Sequence, residues 1–230
     1  RSATEPTRWI TDQPAEWRQA IRWGVLDLSG PYRKTFTDAL EHVTQVADPF
    51  HLVKLANHQL DECRRRVQNE TLGHRGHKHD PLYRARRALH TGTDLLTDKQ
   101  QARLQLLFAS DDHIQVEATW GIYQRMIAAY RDPDRTRGRQ AMTKIIEAVS
   151  SGVPTALFEL HRLGRTMKQR AADILAYFDR PGTSNGPTEA INGRLEHLRG
   201  SALGFRNLTN YIARSLLETG GFRPRLHREL

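Results

Sequence analysis

The sequence contains very little cysteine, with a single thiol, Cys63, in 230 residues. One thiol cannot close a disulfide within the chain, and Cys63 has no CxxC partner for a zinc site. The sequence also lacks a secretory signal and an apolar run long enough to cross a bilayer. These absences predict a cytoplasmic protein in which Cys63, on a helical segment, is a small packing residue.

Acidic residues are in the minority. Lys and Arg number 35 against 26 Asp and Glu, which gives a net charge of +9 and a pI of about 10.1. This surplus predicts a polyanionic partner, with nucleic acid as the leading candidate. A membrane surface is less favoured because the arginines are spread over many segments and are not gathered beside an apolar anchor. The alternative is a basic surface that only faces solvent.

Strand-like runs are few, and both occur near the start of the chain. Residues 23–26 form a short apolar run that ends at Asp27, and residues 43–47 form a β-branched run that ends at Asp48. Helical patterns alternate with these runs, and this order predicts parallel pairing in an α/β layer. The rest of the chain is helical in pattern, so we expect a predominantly helical α/β fold. The predicted helices cover residues 14–23, 32–42, 52–71, 82–90, 97–109, 111–131, 133–150 and 153–178.

Two carboxylates follow the predicted strands. Asp27 and Asp48 stand where α/β sheets expose side chains to a crevice. Carboxylates at such a position can bind Mg²⁺, and a pair of ions would assist phosphoryl transfer at both the attacking and the leaving oxygen. His51, three residues after Asp48, could be a metal ligand or a hydrogen-bond partner of a carboxylate. The alternative is that each Asp only caps the helix that follows it.

A third carboxylate, Glu189, is predicted in the first turn of a helix, after a Ser-Asn-Gly-Pro loop at residues 184–187. The basic residues that follow it are Arg194, Arg199 and Arg206. An acid that begins a basic helix suits a divalent cation beside a phosphate backbone. Because the helix dipole favours an acid here whatever the function, capping is again the alternative, with Asn185 or Thr188 as the cap.

Two further basic segments are expected to contact phosphates without reading a base sequence. One is a triple of arginines on a helix, and the other is a loop at residues 73–81. The candidate residues are Arg64, Arg65, Arg66, Arg75 and Lys78. The same loop contains His74, His77 and His79, which we expect to contact phosphate and not a metal.

Motifs along the whole chain point to one family. They are VLDLSGPYR at 25–33, VADPFHLVKLAN at 46–57, RRRV at 64–67, TLGHRG at 71–76, SNGPTEAIN at 184–192 and GFRN at 204–207. Together and in this order they resemble bacterial insertion-sequence transposases of the ISL-three type. The stretch at 184–192 is the most specific of them.

The resemblance implies a partial RNase H-like catalytic core interrupted by a large all-α insertion, a DDE triad of acids, and Mg²⁺ or Mn²⁺ as cofactor. It implies DNA as the partner, at the transposon ends and the target, with a homo-oligomer and association with the nucleoid when DNA is bound. Asp27 matches the second acid and Glu189 the third, both as metal ligands. Asp48 and His51 match a D-x-x-H element with a supporting role, and Asp48 is the alternate second acid.

The implied division of the chain places the partial core at 1–55, the insertion at 56–180, the return to the core at 181–217 and a tail at 218–230. The first acid of the family is expected upstream of this chain. We therefore expect the C-terminal part of a transposase, whose reaction is metal-dependent DNA strand cleavage and strand transfer, and we expect this part to be inactive alone. The alternatives are a non-catalytic basic helical nucleic-acid-binding module and the product of a decayed gene.

Overall fold

The computed structural model describes residues 2–180 and 182–220, and the chain divides into two compact units. The first unit runs to Thr183 and the second begins at Ser184. Most of the tail predicted at 218–230 lies outside the described residues. Within the described residues, no helix combines the length and the apolar character that a membrane crossing requires.

The elements are, in chain order, α1 (Thr4–Thr11), α2 (Ala15–Ala20), β1 (Trp23–Leu26), α3 (Gly30–Ala39), β2 (Thr44–Ala47), α4 (Pro49–Leu72), α5 (Pro81–Leu89), α6 (Asp98–Phe108), α7 (Ile114–Arg131), α8 (Arg135–Ser150), α9 (Phe158–Gln169), α10 (Ala171–Asp179), α11 (Gly186–Ser201) and α12 (Leu208–Thr219), with short 3-10 turns at Thr93–Leu95 and Asp111–His113.

The two strands form a parallel pair, β1 beside β2, with Leu26 opposite Ala47. α3 connects them, as a parallel pair requires a crossover. β2 is covered on one side by α10, and its residues Val46 and Ala47 are fully buried. The parallel pairing predicted from the order of helices and strands is therefore confirmed, in a fold that is otherwise helical.

The core of the first unit forms along one stripe of α4. Leu52, Ala56, Leu60, Cys63 and Val67 are each at most 2% exposed, and they recur at the three- and four-residue spacing of one helix face. α7 and α9 pack against this stripe. Burial raises the pKa of the Cys63 thiol to about 11, so this thiol is a neutral packing group, as predicted.

The single helix predicted over residues 153–178 is wrong, because the structure has two helices, α9 and α10, that meet at Arg170. The backbone of Arg170 leaves the helical region, and its side chain is buried against Asp173 in the first turn of α10. The break lets α10 cover β2 while α9 packs on α8. That packing is close, because a Cβ on Gly164 of α9 would lie 1.8 Å from the carbonyl oxygen of Val149.

The second unit, described over residues 184–220, consists of α11 and α12 packed on each other. A turn containing Leu203 and Gly204, both at positive φ, separates the two helices. Asn207 then caps α12, since its side chain accepts hydrogen bonds from the backbone N–H groups of Thr209 and Asn210. None of the residues in 184–220 is buried, so this unit has no core of its own among the described residues.

Candidate functional site

Asp27 lies immediately after β1 and is half-buried. Its Oδ1 accepts a hydrogen bond of 2.8 Å from the backbone N–H of Ser29, the residue that precedes α3. This contact holds the turn between β1 and α3 and so sets the position of the carboxylate. The local capping role and a role at a site are compatible, because one oxygen of the carboxylate serves the turn.

Asp48 is the corresponding residue after β2, and it is almost completely buried, at 3% exposure. It is the N-cap of α4, and its Oδ1 accepts a hydrogen bond of 2.8 Å from the backbone N–H of Phe50. Its own N–H donates to the carbonyl oxygen of Leu26, at 2.9 Å. The register therefore places Asp27 and Asp48 side by side at the carboxyl edge of the sheet.

His51 lies in the first turn of α4 and is half-buried. Its ring meets the ring of Phe50 edge-on, with the centroids 5.6 Å apart. Burial raises the pKa of Tyr130, and the charges of Tyr177 and Asp48 raise it further. Asp48 therefore lies near Tyr130, and Asp27 is the more accessible of the two acids.

A buried ion pair lies near Asp27. Nε of Arg170 is 2.6 Å from Oδ2 of Asp173, and Nε of Arg33 is 3.7 Å from the same oxygen. Burial lowers the pKa of Arg170, while the charges of Asp173 and Asp27 act to raise it. A fixed positive charge therefore acts on Asp27 from α10.

Glu189 lies in the first turn of α11 and is exposed, as its sequence context predicted. Asn185 is the N-cap of this helix, and the N–H of Glu189 donates to the Asn185 carbonyl oxygen at 2.9 Å. The basic residues that follow, Arg194, Arg199 and Arg206, are exposed, and Arg199 forms an ion pair with Glu196 at 2.9 Å. A shared site of Glu189 and Asp27 stays a prediction.

The sequence motifs imply a divalent metal ion, but the carboxyl edge of the strand pair supplies only part of a ligand set. Asp27 and Asp48 offer the hard carboxylate oxygens that suit Mg²⁺. Across residues 2–180 and 182–220, however, no group of three or more His, Cys, Asp or Glu side chains could hold a metal ion.

The three consecutive arginines of α4 have different surroundings. Arg64 is buried and its Nη2 lies 2.8 Å from Asp61. Arg66 binds Glu159 of α9 at 2.9 Å, and the pKa of Arg66 is raised, chiefly by this hydrogen bond. Arg65 is the accessible member, with 58% of its side chain exposed, although its Nη2 is 2.6 Å from Asp61. Their assignment to phosphate contact stays a prediction, and Arg65 is the one that solvent reaches best.

The cationic loop follows α4, which ends at Gly73 in the left-handed conformation. Asp80 organises the loop, since its Oδ2 accepts hydrogen bonds from the His77 backbone N–H and from Nε2 of Gln68. The His77 hydrogen bond is the chief cause of the lowered pKa of Asp80. Arg75 and Lys78 are exposed on this loop.

Comparison with known proteins identifies the family. Residues 1–215 match the model of the ISL3-type DDE family, which is described as a transposase. The chain belongs to this transposase family. Two curated relatives, each named transposase for insertion sequence element IS1557, come from Mycobacterium tuberculosis strains CDC 1551 / Oshkosh and ATCC 25618 / H37Rv.

Each relative is 28% identical to this transposase-family chain over 211 residues, which is 83% of the chain and 46% of the relative. The chain thus spans about half the length of the curated relatives that it matches. No solved structure matches it.

The sequence analysis did not identify three residues that lie near predicted site residues of this transposase-family chain. Arg170 and Asp173 lie near Asp27, and Arg162 lines the same groove as Arg65 and Arg75. The Arg-x-x-Asp spacing of the first pair was visible, but the helix start that gives it meaning was not. No local signal marked Arg162, because its position beside α4 follows from the packing of α9.

Proposed function

We propose that this chain supplies two acids, Asp27 and Glu189, to the active site of a DDE transposase. The reaction proposed for the whole transposase is hydrolysis of a phosphodiester at the end of an insertion sequence, followed by attack of the freed 3′-hydroxyl on target DNA. The observation that carries the proposal is the placement of Asp27 at the carboxyl edge of a parallel strand pair, in a chain that matches the family over residues 1–215.

Asp27 is proposed as the second acid in preference to Asp48. Asp48 is nearly fully buried, and one of its carboxylate oxygens caps α4. Asp27 follows the neighbouring strand with greater exposure and with the positive charge of Arg170 nearby. Asp48 and His51 are proposed to support the site by holding the start of α4 against the end of β2.

Glu189 is proposed as the third acid. Its exposure in the first turn of α11 leaves it accessible to DNA, and Arg194 and Arg206 follow it without an ion pair to any described residue. We propose Mg²⁺ or Mn²⁺ as the cofactor of the whole transposase. We propose that this chain does not cleave DNA alone, because it supplies two of the three acids that the family resemblance implies.

We propose the division of the chain that the family resemblance implies. Residues 1–55 are assigned to an RNase H-like core, residues 56–180 to the helical insertion, and residues 181–217, which contain α11 and most of α12, to the return to the core. DNA binding is proposed for the accessible cations, namely Arg65, Arg75, Lys78, Arg194, Arg199 and Arg206, with Arg64 and Arg66 in a structural role. We further propose a homo-oligomer, associated with the nucleoid when DNA is bound.

The test is a strand-cleavage assay with the transposase that contains this chain, on DNA carrying the insertion-sequence ends, in Mg²⁺ or Mn²⁺. We expect Asp27→Asn and Glu189→Gln each to lower cleavage about 1000-fold, since loss of a ligand removes several kcal/mol of charge stabilisation. Asp12→Asn, at an exposed residue on the C-terminal end of α1, is the matched control and should leave the rate unchanged. Cleavage lost in Asp48→Asn but kept in Asp27→Asn would transfer the role to Asp48.

A second candidate is a non-catalytic DNA-binding module, favoured by the net charge of +9 and by the exposed cations Arg75, Lys78 and Arg162. It predicts DNA binding that is sensitive to salt but indifferent to divalent cations, to Asp27→Asn and to Glu189→Gln. Cleavage in the assay above, lost with either substitution, would exclude it.

A further inference from the structure

A groove in the first unit is lined by none of the proposed acids. It has a volume of about 840 Å³ and is formed by the second half of α4, the loop after it and the start of α9. We call it the α4–α9 groove. Two predicted phosphate contacts, Arg65 and Arg75, line it together, although they are ten positions apart in the sequence. Phe158, Arg162 and Asn69 also line it.

Some of the charge in the α4–α9 groove is neutralised within the protein. Arg66 binds Glu159 at 2.9 Å and Glu70 at 3.0 Å. Arg65 binds Asp61 at 2.6 Å, and its other terminal nitrogen is 3.6 Å from Glu62. The Arg66–Glu159 pair links α4 to α9, and the lining of the groove includes Glu62, Arg65, Arg66 and Glu159.

Two positive charges form no close ion pair with a described residue, although the charge of Arg162 acts on Glu159 one turn earlier on α9. Arg75 and Arg162 both line the groove, both are exposed, and neither forms an ion pair with any residue in 2–180 or 182–220. They enter the groove from different elements, one from the loop after α4 and one from α9. Two exposed guanidinium groups across one groove suit two anionic groups of a single ligand, as successive phosphates provide.

An aromatic ring stands beside these charges. Phe158, the first residue of α9, is 53% exposed, and its ring lines the groove. The guanidinium of Arg66 lies 5.1 Å from the ring centroid, so a charge that is already paired with Glu159 supports the ring. A phosphate alone needs no such ring, whereas a nucleotide presents a flat apolar base together with its phosphate.

We propose that the α4–α9 groove holds an unpaired DNA strand, with its phosphates at Arg75 and Arg162 and one base stacked on Phe158. This inference rests on the proposed function for DNA as the partner. The strand is unpaired because bases inside a duplex stack on one another and offer no free face to the ring. Asn69, on the wall of the groove, supplies an amide that can hydrogen-bond to a base edge.

The test measures the affinity of the whole chain for a single-stranded oligothymidylate and for a blunt duplex by fluorescence anisotropy. We expect Phe158→Ala to weaken single-strand binding roughly 5- to 100-fold, the usual range for loss of one base stack, and to change duplex binding by less than about twofold. Phe158→Trp should keep or improve single-strand binding. Trp9→Ala, which removes an equally exposed ring on α1, should change neither affinity by more than about twofold.

The salt dependence of binding tests the contribution of Arg75 and Arg162. The double variant Arg75→Gln/Arg162→Gln should flatten the dependence of log affinity on log salt by about 1.4 for single strands, or about 0.7 for each lost phosphate contact. Arg135→Gln/Lys144→Gln removes the same charge from α8, outside the groove, and should leave the slope nearly unchanged. Circular dichroism of each variant verifies folding.

The outcomes separate this inference from the proposed function. Equal weakening of single-strand and duplex binding in Phe158→Ala, or no weakening at all, would overturn the groove assignment while strand cleavage by Asp27 and Glu189 could still hold. Competition by polyglutamate as strong as that by oligothymidylate at equal ionic strength would also overturn it, in favour of an acidic peptide. Cleavage that is insensitive to Asp27→Asn would instead refute the proposed function, with the groove result unaffected.

Discussion

The two proposed catalytic acids lie in regions of opposite construction. Asp27 follows a strand in a unit whose helices share a continuous apolar core. Glu189 begins a helix in a unit where no residue from 184 to 220 is buried. A side chain attached to a packed core is held by many distant residues, whereas a helix that buries little depends on its own turns and caps. Core substitutions should therefore affect the first unit, and capping should govern the second.

The sharpest contrast is expected between Leu60→Ala and Leu216→Ala. Leu60 on α4 is fully buried, so its truncation should lower the free energy of unfolding by about 2–5 kcal/mol. Leu216 on α12 is 56% exposed, and its truncation should cost less than about 1 kcal/mol. Urea unfolding followed by circular dichroism measures both. Equal losses would mean that α12 is packed as tightly as α4 and would break the comparison.

The ion pairs of the two units should also differ. Glu159→Gln removes the charge that Arg66 binds from inside the first unit and should destabilise it by about 1.5–3 kcal/mol. Glu196→Gln removes the exposed partner of Arg199 in the second unit and should cost less than about 1 kcal/mol. Urea unfolding at pH 7 compares the two variants. A larger loss in Glu196→Gln would contradict the assignment of Arg66 to structure.

Glu159 should also make the unfolding free energy of the wild-type chain depend on pH. Burial alone would raise the pKa of Glu159, but the hydrogen bond from Arg66 and the other favourable contacts outweigh it, and the pKa is lowered from its ordinary 4.5. A lowered folded pKa means that this stabilisation is complete above pH 4.5 and is lost as the pH falls through the folded value. Unfolding free energies measured between pH 7 and pH 3 should therefore fall less steeply in Glu159→Gln.

The most local effect is expected at the cap of α12. Asn207→Ala removes the acceptor for the backbone N–H groups of Thr209 and Asn210 and should cost α12 about 1 kcal/mol. Hydrogen exchange of the α12 amides should become about fivefold faster, with the α4 amides unchanged. Asn207→Asp keeps an oxygen acceptor and is the matched control. Equal acceleration in α4 would show that the two regions unfold together.

The alternation of helices with two strands was predictable from the sequence, because apolar periodicity and turn residues are local. The parallel pair followed from that order. The boundary at Arg170 was not predictable, since the helical spacing of apolar residues continues through it. It ends a helix because its side chain turns inward to Asp173, and that pairing depends on how α10 covers β2.

The candidate site, too, was predictable only in part. Asp27 and Asp48 were expected at strand ends, and the register places them side by side. The sequence does not distinguish the three consecutive arginines of α4, but their side chains project about 100° apart around the helix. One is buried, one binds α9 and one faces solvent, and only the packing of the neighbouring helices distinguishes them.

The transposase family, the parallel strand pair, and the places of Asp27 after a strand and Glu189 at a helix start could be predicted from contiguous residues, because motifs and turn chemistry are local. Which charges are paired inside the protein and which stay exposed, and so open to the proposed DNA contact, follows from the packing of the helices. Arg66 meets Glu159 across 93 positions, and Arg75 shares a groove with Phe158 and Arg162. Such partners are brought together by helix packing, which buries apolar faces and thereby sets the neighbours of every charged side chain.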